Sequence, residues 1–364
     1  MSDPMTGSTA ATVSDGSPSD GYVVGVDVGG TKVAALVVDA SGRPLARAVR
    51  PMLDRGPSDG VDVIAAAVLA AVTEAGGPAR LGAIGVGVPG RIDATTGSVR
   101  LATNLDWRDL PLAARLGEAF GVRCAVENDV RLAAAGLLGL EVARGARSMA
   151  YLAVGTGIGA GLVLDGRLYR GPRGTAGEIG HVIVQPDGEP CSCGQQGCLE
   201  TVASGPSIAR HAADEVARGA NTSLAALDTI SAKDVYDAAR DGDAVALRIT
   251  RQAGAYLARQ IGALVLTCDL ERVLIGGGVA GAGAVFLDPI VAELDRQRAR
   301  SALLAELLPA EAVELLPPDF DAVAWGGVAL ARRVLSASQA GRGADGAARP
   351  DHVEEEVVAR EAMS

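Results

Sequence analysis

Aromatic residues are scarce in this chain: two Trp, five Tyr and three Phe amount to 3% of 364 residues. A core built without them must come from Ala, Val, Leu and Ile, and 48 glycines imply many tight turns. Long apolar runs are also missing. The most hydrophobic stretches, Val61–Val72 and Ile261–Leu266, are short or interrupted by charge, so no membrane-spanning helix and no membrane partner are expected. Nor is there an excess of basic residues. With 33 Lys and Arg against 44 Asp and Glu, the net charge is −11, which argues against a nucleic-acid partner but leaves room for a local basic site holding one nucleotide. Five cysteines in so long a chain do not make a disulfide scaffold. Residues 1–20 are rich in Ser, Thr, Asp and Gly and have neither the basic start nor the apolar stretch of a signal peptide, so a cytoplasmic protein is expected.

Residues 1–20 and 336–364 are expected to be disordered tails. Between them the pattern is α/β. An apolar run from Tyr22 stops at Asp27, a glycine turn follows, and apolar residues resume from Val33 to Val38, which predicts a hairpin rather than the strand-to-helix step of a dinucleotide fold. Helices are predicted over Val61–Glu74, Leu112–Phe120 and Asp129–Leu140, and strands over Leu81–Val88 and Val122–Val126. The second half repeats the opening: a strand over Ser148–Val154, a glycine turn over Gly155–Gly161, then a returning strand. Helices around Pro206–Ala217, Ser231–Arg240 and Ala244–Leu266, a strand at Arg272–Ile275 and a terminal helix over Ala322–Val334 complete the plan. The repeated opening predicts two related domains facing a cleft.

Four groups of residues carry chemistry. The first is Asp27-Val28-Gly29-Gly30-Thr31-Lys32, where paired glycines let backbone amides approach an anion, Thr31 adds a hydroxyl and Lys32 a compact cation. Asp27 can hold a magnesium ion through water. The second is Gly155-Thr156-Gly157-Ile158-Gly159-Ala160-Gly161, which has neither a Walker ending nor a following helical pattern. Each run alone also reads as an ordinary turn. Together they suggest two domains clasping one polyphosphate. The third is His181 with Cys191, Cys193 and Cys198, three thiolates and an imidazole able to close a tetrahedral zinc shell in a structural role. The fourth is polar: Asn104, the Glu127-Asn128-Asp129 step from strand to helix, Glu178 three residues before His181, and Glu200 two residues after Cys198. Any one of these also reads as a helix cap or surface group, whereas the set suits a ligand with many hydroxyls.

The stretch Glu178-Ile179-Gly180-His181, Cys191-Ser192-Cys193-Gly194 and Gly197-Cys198-Leu199-Glu200 resembles the ROK family of bacterial sugar kinases and sugar-responsive repressors, and the likeness runs from about Tyr22 to Leu335. It implies an actin-like, ribonuclease-H-like two-domain sugar kinase fold with ATP and sugar in the interdomain cleft. The expected domains are 21–127, completed by a helix near 320–335, and 128–319 carrying the zinc loop. By resemblance, Gly29–Lys32, Gly155, Thr156, Gly157 and Gly159 contact ATP phosphates, and Gly276, Gly277 and Gly278 lie near the adenosine. Asn104, Asn128, Asp129, Glu178, His181 and Glu200 match sugar-binding positions, Asp129 the catalytic base, and His181 both a zinc ligand and a sugar neighbour. Arg131 departs from the Asn that many family kinases carry there.

The expected reaction is ATP-dependent phosphorylation of a hexose hydroxyl with magnesium, glucose first, with N-acetylglucosamine, N-acetylmannosamine or fructose as alternatives. A DNA-binding repressor of the same family is the main rival from another class. Against it, the residues ahead of the first strand are acidic and show no helical pattern. A homodimer or homotetramer is expected on the resemblance.

Overall fold

The computed structural model describes residues 21–52, 56–138, 143–317 and 320–344. The sheet of the first half is built from β1 (Tyr22–Val28), β2 (Lys32–Asp39), β3 (Pro44–Pro51), β4 (Leu81–Val88) and β8 (Arg123–Asn128), in the order β3-β2-β1-β4-β8. β1 to β3 form an antiparallel meander, and β4 and β8 run parallel to β1. β1 and β4 have near-continuous apolar sequences because both of their faces are covered. Between β4 and β8 lie a small antiparallel sheet and α2 (Leu112–Phe120); the small sheet comprises β5 (Arg91–Asp93), β6 (Ser98–Ala102) and β7 (Trp107–Leu110). The sequence reading missed it, since strands of three to five residues leave little periodicity to detect. α1 (Pro57–Glu74) covers one face and buries Ile64, Ala67, Val68 and Ala71 completely.

The second half repeats this plan. β9 (Met149–Val154), β10 (Ile158–Leu164), β11 (Arg167–Tyr169), β12 (Arg272–Gly276) and β13 (Val313–Leu315) lie in the order β11-β10-β9-β12-β13. Again the first three strands are antiparallel and the last two run parallel to the first. Helices α4 (Leu199–Ala203), α5 (Gly205–Ala217), α6 (Ala232–Arg240), α7 (Ala244–Cys268), α8 (Ala284–Arg300) and α9 (Ala302–Leu307) enlarge this half and share one large core with its sheet. Clear start signals place them. Ser231 and Asp234 form a reciprocal capping box on α6, and Asp243 accepts from the Val245 and Ala246 amides at the head of α7, both at 3.0 Å. α8 and α9 were not anticipated.

Two helices join the halves. α10 (Ala322–Ala344) packs on β1 and β4, α3 (Asp129–Leu137) packs on β9 and β10, and the two cross against each other. The crossing is close because glycines meet: a Cβ on Gly136 would overlap the Gly326 backbone. Residues 336–344, expected within the C-terminal tail, continue α10, while 1–20 and 345–364 lie outside the described residues.

Candidate functional site

β8 ends in three polar residues, and each is used differently. Glu127 is 1% exposed and fully partnered: it accepts from the Asn128 amide at 2.9 Å, from Arg131 Nε at 3.1 Å and from Arg170 Nε at 2.6 Å. Removing one member of such a buried ion set costs about 3–5 kcal/mol, so it fixes α3 against the segment after β11. Asn128 caps α3, its Oδ1 accepting from the Arg131 amide at 3.1 Å, an interaction that contributes about 1 kcal/mol. Its Nδ2 donates to Gly90 O at 3.2 Å and to Asp129 Oδ1 at 2.9 Å. Asp129 Oδ1 also accepts from the Val130 amide at 2.9 Å, leaving Oδ2 without a partner among the described residues. Burial, and secondarily the nearby charge of Glu178, push the Asp129 carboxyl above its ordinary range.

Glu178 and His181 sit in a segment laid directly on β10. The Ala160 amide donates to Gly177 O at 2.8 Å, and a Cβ on Gly177 or Gly180 would overlap the carbonyl oxygen of Ala160 or Ile158. Only glycine permits that approach, and it brings Glu178 within electrostatic reach of Asp129. Glu200, on the first turn of α4, accepts from the Ile158 amide at 2.9 Å through Oε2. One carboxylate oxygen is thus committed to the strand that leaves the second glycine turn.

Cys191, Cys193, Cys198 and His181 present ligand atoms all within 4.8 Å of one another. Cys191 Sγ lies 3.6 Å from His181 Nδ1, and Cys193 Sγ lies 3.7 Å from Cys198 Sγ. Cys198, fully buried, immediately precedes α4, so the same cluster anchors Glu200. Cys124 lies against the first-half core, where burial pushes its thiol up to about 12.

The two glycine turns close alike, Gly29 N donating to Lys32 O at 2.9 Å and Gly155 N to Gly157 O at 3.0 Å. Thr31 and Lys32 are exposed, and the Asn104 carbonyl lies beside Gly30. Asp27 is pushed up to about 7 by burial, then by the charges of Asp321 and Asp129, with Lys32 and Arg47 opposing. Beside the second turn opens a cavity of about 660 Å³ whose walls include Gly155, Thr156, Gly205, Tyr236, Gly278 and Val279. Its lining is mostly apolar and includes Lys233 and Arg240, both paired with Asp237.

Residues 23–319 match the ROK family profile. The chain belongs to the ROK family. It is 38% identical to a glucokinase of Halalkalibacterium halodurans over 75% of this chain and 84% of that protein. The crystal structure of a ROK family glucokinase from Streptomyces griseus, in complex with glucose and AMPPNP, superposes with a TM-score of 0.71 at 34% identity, covering 86% of this chain and all of that one. A xylose repressor of Caldicellulosiruptor bescii is 33% identical over 57% of this chain and 53% of the repressor. The actin-like, ribonuclease-H-like architecture expected from the sequence is the one that ROK kinases share.

Within this ROK chain the second glycine run needs one correction. Its turn spans only Gly155–Gly157; Gly159 and Gly161 lie inside β10, where Val130 and Ala134 of α3 pack over them. Alternating glycines therefore mark a strand face under a helix, a period-two signal that the turn reading overlooked. Gly276 likewise ends β12 against Tyr151, whereas Gly278 lines the cavity. The walls supplied by Gly205, Tyr236 and Val279 were missed. The Gly205-Pro206 step into a helix was the one signal available for them.

Proposed function

We propose that this protein is an ATP-dependent hexose kinase, with glucose as its first acceptor. The observation that carries this reading is Asp129: a half-buried carboxylate at a helix start, one oxygen fixed by an amide and by Asn128, the other without a partner among the described residues, and Glu178 close by. The glucokinases that it resembles over most of their length agree with it. The xylose and N-acetylglucosamine repressors that it resembles in sequence match over only about half of their own length.

Asp129 Oδ2 accepts the proton of the acceptor hydroxyl as that oxygen attacks the γ-phosphoryl in line. Asn104, Asn128, Glu178, His181 and Glu200 hold the other hydroxyls. Amides of the two glycine turns, Thr31 and Lys32 stabilise charge on the phosphate oxygens. The adenosine occupies the cavity beside Gly278. Asp27 would hold magnesium, which supplies further charge neutralisation when bound; a carboxyl pushed up by burial and two neighbouring carboxylates fits a position that a cation would relieve. The Cys3His cluster fits structural zinc. Zinc bonds of about 2.3 Å to sulfur and 2.0–2.1 Å to nitrogen at tetrahedral angles place ligand atoms about 3.6–3.8 Å apart, beside observed separations of 3.6 and 3.7 Å. If zinc were held through Nδ1, His181 would keep Nε2–H as a donor for sugar.

An ADP-release assay across glucose, N-acetylglucosamine, N-acetylmannosamine and fructose tests the reading. Glucose should be turned over fastest, and Asp129→Asn should retain glucose binding while turnover falls about 10²–10⁴-fold. Near-normal turnover in that variant would remove Asp129 as base. The base must be ionised, so activity falls as pH drops through the raised Asp129 pKa, and the acid limb of the profile lies above the ordinary aspartate range.

A further inference from the structure

Beside the residues assigned to sugar, and sharing none of them, lies a second cavity of about 430 Å³. Its walls come from β5 and the turn after it, from the segment after β11, and from the head of α3. Five arginines line it, Arg91, Arg100, Arg131, Arg170 and Arg173, against two carboxylates, Asp93 and Glu127, a net of three positive charges. In a chain of net charge −11 such a concentration is not expected by chance composition.

The pairing inside the cavity separates structural from available arginines. Arg131 and Arg170 divide Glu127 between them, and Arg100 spans Asp93 at 2.8 Å and Asp109 at 3.5 Å. Arg91 and Arg173 are exposed and have no carboxylate partner among the described residues, although they come from separate segments onto one cavity. Arg131 forms part of the wall at only 3% exposure, and its one recorded side-chain bond uses Nε. Thr95 adds a hydroxyl.

We infer that this cavity is an anion site for a small phosphate ester of sugar size, separate from the nucleotide cavity and bordering the sugar cleft. Planar guanidinium forks match the paired oxygens of phosphate, and Arg91 and Arg173 supply two that are not already neutralised. The volume exceeds that of a bare ion and lies within the range of small-ligand pockets. Asn128 of the sugar site bonds Gly90 O, one residue before Arg91, which ties the wall of this cavity to the sugar side of the cleft.

The test is calorimetric titration of the full-length protein with glucose 6-phosphate and, separately, with inorganic phosphate, keeping glucose and a non-hydrolysable ATP analogue saturating so that the cleft is filled. Saturable binding of the ester is expected. Arg91→Ala with Arg173→Ala should weaken it at least about tenfold, or about 1.4 kcal/mol, and the double Lys variant, which keeps charge but loses the fork, should fall between. Weaker binding of free phosphate with the same variant pattern supports the site, whereas phosphate binding with the ester excluded overturns the ester assignment. No saturable heat from either ligand, or equal affinity in wild type and double Ala variant, overturns the site. Failure of glucose and the analogue to bind would instead count against the kinase reading, and the Arg91/Arg173 dependence would still decide this one.

Discussion

The two halves share one sheet plan and differ at the turn that opens it. In the first half four residues separate the paired Val28 and Val33; in the second three separate Val154 and Ile158. The first turn brings its own charges, Asp27 before it and Lys32 at its end, and it is tethered lightly, Met52 N donating to Thr31 O at 2.9 Å. The second has no ionisable side chain. It is held from three other segments instead: Glu200 on the Ile158 amide, Gly205 N on Gly155 O at 2.8 Å and Val279 N on Val154 O at 3.0 Å. One turn therefore carries charge and the other a fixed shape, and the fixing residue Glu200 is anchored by the Cys/His cluster. The second turn is held by Glu200; the first has the Asn104 carbonyl beside Gly30 and the Asp129 charge acting on Asp27.

The largest effect that this contrast predicts is at Glu200. Glu200→Ala removes the acceptor of the Ile158 amide together with a sugar-side carboxylate, and losing two charge-assisted bonds lowers kcat/KM about a thousandfold. Glu200→Gln keeps an oxygen for Ile158. Nucleotide affinity measured without sugar, by titrating a fluorescent ATP analogue, should weaken in the Ala variant and stay close to wild type in the Gln variant. If the Ala variant binds nucleotide normally, the second turn is not held from the sugar side and the contrast fails.

A smaller effect is predicted for the proposed zinc cluster. If it holds zinc, chelation or Cys191→Ser frees His181 and the head of α4, and the sugar KM should rise about 10–100-fold. Metal content, melting temperature and the two KM values should change unequally: the sugar KM most, the nucleotide KM less, because α5, α6 and Gly278 still form the cavity proposed for adenosine. An equal rise in both would place the metal in general stability rather than in the sugar loop.

Much of this was legible because sequence marks local chemistry well. The Asp27–Lys32 turn, the Cys/His spacing and the Glu127-Asn128-Asp129 step each put the chemistry in consecutive or near-consecutive residues. Relations between distant segments were not legible. Nothing in the sequence indicates that Glu200 bonds Ile158, that Arg170 completes the shell of Glu127, or that Tyr236 walls the cavity beside Gly155. The start of β10 was misplaced for a related reason. A glycine packed under a helix and a glycine in a turn look alike until the helix is in place.

The smallest predicted effect is at the first turn. Lys32 is exposed and paired with no carboxylate among the described residues, so Lys32→Ala leaves the fold intact and removes one point charge acting through water. An exposed charge-assisted contact of this kind contributes about 1–1.5 kcal/mol, so the KM for ATP should rise about tenfold with the sugar KM unmoved. Its signature is salt. The ratio of wild-type to variant affinity should shrink as ionic strength rises, because an exposed charge is screened within about 8–10 Å, whereas the Glu200→Ala defect, seated at a partly buried amide, should persist. Lys32→Arg tests the same point from the other side: if the turn needs only charge, Arg restores most of the affinity, and if it needs a compact ammonium, the planar fork does not. A Lys32→Ala defect that is insensitive to salt would mean that the first turn, like the second, works by fixed shape.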